Sequence, residues 1–252
     1  MQPIDPPVGG GRLRLLGLYH GLGEDVSARY IGSYDWQGEK YRRHTLTPSL
    51  EEIDVPLSDE QHKAAQQLKE KAGGKTAIDI AFPRLAHLSP HYIAEVRKTI
   101  DWADVVVFSH PWVFPAVCDF LKPDQLVVYD SHNVEGFLRA QLLDEGNSVE
   151  QQLLRDVVLS EYQMGLRADL VLACSHEDRE IFGRIYNWPL RKIRVVPNGV
   201  MANLITVPGR DEKRRLKSKL QLPQNKKAAI FIGSNYAPNV EAACFISKQL
   251  AP

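Results

Sequence analysis

The sequence has no surplus of charge of either sign: its 252 residues carry 31 lysines and arginines against 31 aspartates and glutamates. A balanced total argues against nucleic acid as the main partner, which would require a basic excess, although a local basic patch stays open. Long apolar runs are lacking too. The hydrophobic residues, 44% of the chain, come in short stretches, and none approaches the roughly 18 consecutive apolar positions that span a bilayer. The opening MQPIDPPVGGG has neither a basic nor an apolar leader region and is not read as a signal peptide. Cysteine is scarce. Cys118, Cys174 and Cys244 are odd in number, far apart and without C-x-x-C spacing, the usage expected of buried thiols in a reducing compartment. The expected location is the cytoplasm. A metal signature is also missing: His87 and His91 are four apart, but Pro90 interrupts them and no glutamate stands between.

What is present is a series of short apolar runs that turn abruptly polar. In LVVYDSHNVEG, Leu126 to Tyr129 suit a strand buried on both faces, and Asp130, Ser131, His132, Asn133 and Glu135 follow at once. Val134, Phe137, Leu138 and Leu142 then recur at helical spacing, so the polar cluster sits on a strand-to-helix turn. In open parallel sheets that rim is where ligands bind. Residues 104–109, DVVVFS, read as the clearest buried strand and likewise end in a histidine, His110. Further strands are expected at 27–34, 53–57, 170–173 and 193–196, with DWQGEKYRRH looping out between the first two. Ser58 with Gln61 makes a capping box for a helix to about Ala72, and Ser89 and Pro90 open the next. A longer helix from Ser148 should face the core with Leu153, Leu154, Val157, Val158 and Tyr162.

Strands alternating with helices at this spacing indicate an α/β fold with an open, mostly parallel sheet and helices on both faces. The expected domain spans 1–200. Residues 201–227 form a basic linker, and 228–252 hold one strand and one helix, the start of a second, incomplete domain. Gly9, Gly10 and Gly11 precede a helix, where backbone N–H groups could approach a diphosphate; a flexible loop is the plainer alternative, and both stay open.

Taken in order, PPVGGGRLRLLGL, ADVVVFSHPWV, LVVYDSHNVEG, ADLVLACSHEDREIF, IRVVPNGV and FIGSNYAPNVEAACFI resemble the amino-terminal, acceptor-side half of a GT-B glycosyltransferase of the family 4 type. No single one of these segments is specific; the ordered set is. The resemblance implies two Rossmann-like domains facing across a cleft, and retaining, metal-independent transfer of a sugar from a nucleotide-sugar donor to a sugar, lipid-linked or polysaccharide acceptor. It implies no cofactor, the nucleotide sugar being a substrate. It places Gly10 and Gly11 at the donor diphosphate, His110 at the transferred sugar as the catalytic position, Asn198 and Gly199 at the hinge on the donor side, and Gly233 and Ser234 at the glycine turn of the donor domain. Asp130, His132, Asn133 and Glu135 would line the acceptor side, and Trp112 could stack on a sugar face.

Plainer readings stand beside these. His110 could fill a strand end, Asp130 and His132 could cap a helix, and Glu135 could answer the helix dipole alone. The basic stretch around Arg214 and Lys219 reads as a solvated linker, with contact at the inner face of the membrane as the sharper alternative. The family's first strand, before the glycine loop, has no counterpart in the sequence, so the chain is expected to be a partial enzyme. Two alternatives remain: a non-catalytic acceptor-binding or inert fragment, and a nucleotide-sugar epimerase of the same architecture.

Overall fold

A computed structural model describes residues 2–74, 78–200, 206–233 and 237–251 of the chain. Packing divides it into two units, 1–200 and 201–252. In the first, helix α1 (Gly10–Tyr19) leaves the glycine run through Gly9, whose φ of 94° lies in the left-handed region that glycine tolerates. Strands β1 (Ala28–Gly32), β2 (Arg42–Thr47) and β3 (Leu50–Asp54) then form a small sheet in the order β1-β3-β2. Strand β2 falls partly within the segment expected to loop out. It is polar because it pairs by charge: Arg43 meets Glu51 at 2.7 Å, Arg42 meets Asp54 at 2.8 Å and His44 stands 3.3 Å from Glu52. Opposite charges, facing at Arg42 and Asp54 and diagonal at Arg43 and Glu51, hold the antiparallel pair without an apolar pattern.

Helix α2 (Asp59–Lys71) begins where the capping box set it, with the Ser58 hydroxyl accepting from the Gln61 N–H. Helix α3 (Ile78–Leu85), which the sequence reading missed, carries Pro83 inside it yet buries Ile80, Ala81 and Phe82. Helix α4 (Pro90–Trp102) turns Tyr92, Val96 and Ile100 inward. Then come β4 (Val105–Phe108), α5 (Phe114–Val117), β5 (Leu126–Asp130), α6 (Glu135–Leu142), α7 (Ser148–Arg167), β6 (Leu170–Ala173), α8 (His176–Tyr186) and β7 (Ile193–Val195). Strands β4-β5-β6-β7 pair in that order, all parallel, as a Rossmann-like sheet flanked by helices. Phe108, Val127, Tyr129, Val171, Ala173 and Ile193 join Val157, Met164 and Phe182 in the main core.

The strand read as the best buried is an edge. Among the described residues no strand pairs with the outer side of β4, and Val105, Val107 and Leu126 are 46%, 38% and 56% exposed. An apolar run records that a strand is hydrophobic, not which neighbours it has. In α7 the inward residue is Glu161 rather than Tyr162, which is exposed. Cys118 and Cys174 are half-buried and Cys244 is exposed, so the thiols are less sheltered than their spacing suggested.

In the second unit, α9 (Arg210–Lys219) buries no residue, and α10 (Ala237–Phe245) follows further on. The strand expected at 228–232 does not form: Ile230 and Ile232 are 84% and 83% exposed, with no partner strand among the described residues. No described helix is long and apolar enough to cross a membrane.

Candidate functional site

The parallel register that sets Phe108 beside Tyr129 brings the carboxyl ends of β4 and β5 together. His110 therefore meets the turn after β5. Its ring lies 4.4 Å, centroid to centroid, from that of His132, and its Nδ1 is 3.6 Å from Glu135 Oε1. Asn133 Nδ2 donates to the same Glu135 oxygen at 3.1 Å, while Arg139, one turn along α6, brings its Nε to 3.4 Å from Glu135 Oε2. Gly11 lies against His132. A methyl group built there would sit 3.2 Å from His132 Nδ1, so the close approach favours glycine.

The charges follow from burial. Removal from water, then the neighbouring His110 and Arg14, pull the His132 pKa down to about 2, leaving a neutral imidazole at neutral pH. For Glu135, burial pushes the other way but is outweighed by His110, Arg139 and Asn133, which hold it at about 2 and ionised. Among the described residues, His132 Nε2 is buried without a hydrogen-bond partner, and His110 Nδ1, Glu135 Oε2 and Arg139 Nε have only the longer ionic contacts just given. Unpaired buried groups are costly, and a ligand rich in hydroxyls would satisfy them.

Two of the expected contact residues are committed elsewhere. Asp130 is fully buried and accepts from Arg14 Nη2 at 2.7 Å, Arg14 Nε at 3.2 Å and Tyr19 OH at 3.0 Å. Arg14 also donates to Val196 O at 2.8 Å and Asn198 Oδ1 at 2.9 Å, tying α1 to β5 and to the turn after β7. Asp130 and Asn198 thus hold the glycine-loop helix in place, and Asp130 is withdrawn from the acceptor wall. Trp112, only 1% exposed, cannot offer its face to a sugar. It is part of the core beneath the site, with the His110 ring stacked over it at 6.0 Å and the Arg139 guanidinium 5.6 Å from its centroid.

Of the remaining positions, Gly10 and Gly199 have open space around them. Gly233 is an exposed residue of the second unit, and Ser234 lies outside the described residues. Sequence reading overlooked Arg14, Arg139 and Glu161. Arg139 could have been found from its i,i+4 spacing to Glu135; Arg14 and Glu161 carry no local signal.

Among the described residues, His44, Glu52 and Asp54 are grouped closely enough to hold a metal ion, with ligand atoms within 4.8 Å of one another. Arg42 already supplies a cation there, 2.8 Å from Asp54 and 3.6 Å from Glu52. Burial and then Asp54 push Glu52 up to about 7, and its carboxylate also accepts from the Ile4 and Asp5 N–H groups.

The family described as Glycosyltransferase Family 4 matches residues 52–204. That stretch contains His110, His132, Glu135 and Arg139 and leaves out the glycine loop. No curated protein matches the chain. One solved structure it resembles is described as "Trehalose-6-phosphate from E. coli bound with UDP-2-fluoro glucose", at 13% identity and a TM-score of 0.47. The alignment covers 88% of this chain and 53% of that one, so the chain spans about half the length of that structure.

Proposed function

The chain belongs to Glycosyltransferase Family 4, and on that premise we propose that it moves a sugar from a nucleotide-sugar donor to an acceptor hydroxyl, with His110, His132 and Glu135 contacting the sugars. In that reaction the bond from the anomeric carbon to the diphosphate breaks and a bond to the acceptor oxygen forms. The acceptor proton is lost and a nucleoside diphosphate leaves. The observation that carries the reading is the buried, unpartnered His132 Nε2 beside His110 and ionised Glu135, inside the stretch that matches the family.

Each residue has a physical task. Neutral His132 accepts or donates to a hydroxyl without bringing charge. Glu135 and Asn133 accept from and donate to acceptor hydroxyls. Backbone N–H groups at Gly10 and Gly11 favour the negative charge that develops on the leaving diphosphate, and do so without reorganising. His110 reaches the transferred sugar. Retaining stereochemistry and independence of metal and cofactor belong to this proposal, as do a lipid-linked or polysaccharide acceptor and a cytoplasmic setting with the basic α9 against the inner membrane face.

A second reading is an acceptor-binding chain without turnover, favoured by Ile230 and Ile232, which are exposed and have no partner strand among the described residues. A nucleotide-release assay over a panel of nucleotide sugars separates the two. Acceptor-dependent release of a nucleoside diphosphate is the outcome expected of transfer, and donors left intact by a chain that still binds acceptor would favour the second reading. His110→Ala should lower that release by about 100-fold, the scale of a lost positioned proton-transfer or hydrogen-bonding group. Unchanged release by the variant would remove His110 from the chemistry.

A further inference from the structure

Glu161 is a fully buried carboxylate in the middle of α7, on the face that buries Leu153, Val157 and Met164. It is satisfied on every side. Oε1 accepts from Tyr129 OH at 2.7 Å and from the Glu135 backbone N–H at 2.9 Å, and Oε2 from Tyr186 OH at 2.7 Å and the Gly136 N–H at 2.8 Å. The two N–H groups belong to the first turn of α6, which has no acceptor within its own helix. Glu161 supplies one from below. That turn is also where Glu135 sends its side chain back toward His110 and Arg139.

We infer that Glu161 is a positioning residue: it clamps the first turn of α6 from beneath the sheet rim and so sets the Glu135 carboxylate against His110. The clamp explains the glycine that follows Glu135. A Cβ at Gly136 would lie 2.3 Å from Tyr186 OH and 3.3 Å from Glu161 Oε2, so a larger residue would push the turn off its support. It also means that the α6 N-terminus, a ready anion site in many α/β proteins, is occupied by a carboxylate of the chain itself. Burial lifts Glu161 to about 7 even against its four donors, which marks how much the fold spends to keep an acid there.

The bearing of this clamp on turnover rests on the sugar-transfer reading of the rim, but the test needs no substrate, so the two can fail separately. Carboxyl NMR on the full chain follows the Glu135 titration, identified by its loss in Glu135→Gln. In Glu161→Gln the amide NH2 faces an N–H donor, the first turn of α6 shifts, and Glu135 loses its contacts with His110 and Arg139. Its midpoint, about 2 in the parent chain, is expected to rise by about one pH unit or more. Gly136→Ala should produce the same rise without altering either acid. A merely structural role would lower the melting temperature and leave that titration in place, and such a result in a folded variant would overturn the inference. Should neither variant fold, hydrogen exchange in the parent chain decides. The Glu135 and Gly136 amides are expected to be as protected as the interior of α7, and exchange at the rate of open first-turn amides would overturn the inference as well.

Discussion

Burial strips His132 of its proton across the range in which an exposed histidine titrates, and the fold carries the consequence. A histidine whose folded pKa falls to about 2, from an ordinary 6.5, contributes stability that is fully present above pH 6.5 and is lost as pH falls toward 2. Glu52 and Glu161, each raised to about 7 from 4.5, act in the opposite sense, their contribution fading as pH rises from 4.5 through 7. The measurable quantity is therefore a difference between chains. Relative to His132→Gln, the parent should lose stability on acidification below about pH 6.5, by up to about 1.4 kcal/mol per pH unit. Urea unfolding of both chains from pH 7 to pH 4 reads this directly, and parallel curves would mean that His132 is protonated in the fold. At this scale the sequence disclosed the polar turn and its histidines, because strand ends announce themselves. It misjudged Asp130, whose partner Arg14 lies 116 residues away, and no local pattern reports such a pair.

Elements pack here through a few tight slots, of which the one at Gly165 in α7 is the closest. A Cβ on Gly165 would fall 1.8 Å from Trp188 Cζ2, and Trp188 is itself stacked on Phe182 at 5.0 Å and on Tyr186 at 4.8 Å. Glycine-to-alanine changes inside helices ordinarily stabilise by about 1 kcal/mol. Gly165→Ala should do the reverse and cost about 3 kcal/mol, the upper end for overpacking, in equilibrium denaturation. A variant as stable as the parent would show that the aromatic stack can slide. Elements were legible where chemistry is local: the Ser58 cap appears where it was expected. They were obscured where a local rule is overridden, as by charge pairing in β2, by Pro83 within α3, and by a carboxylate, Glu161, on the core face of α7.

At the scale of the whole molecule, alternating strands and helices in the sequence sufficed for the α/β class, since period and spacing survive any single misjudged element. Neighbourhood did not follow from them. A run such as VVVF is as apolar at an edge as at a centre, so the position of β4 came only from pairing. That edge has a consequence for how copies of the chain treat one another. Backbone donors and acceptors along the side of β4 that no described strand pairs with, beside the half-bare Val105, Val107 and Leu126, form a template on which an extended segment can be laid down. Light scattering should detect growth of large species that quickens with protein concentration. Val107→Lys, which places a charge on the bare side without touching the core, should delay it, and equal growth in both chains would assign it to another surface. Crowding with its own copies would then be the condition that loads this edge.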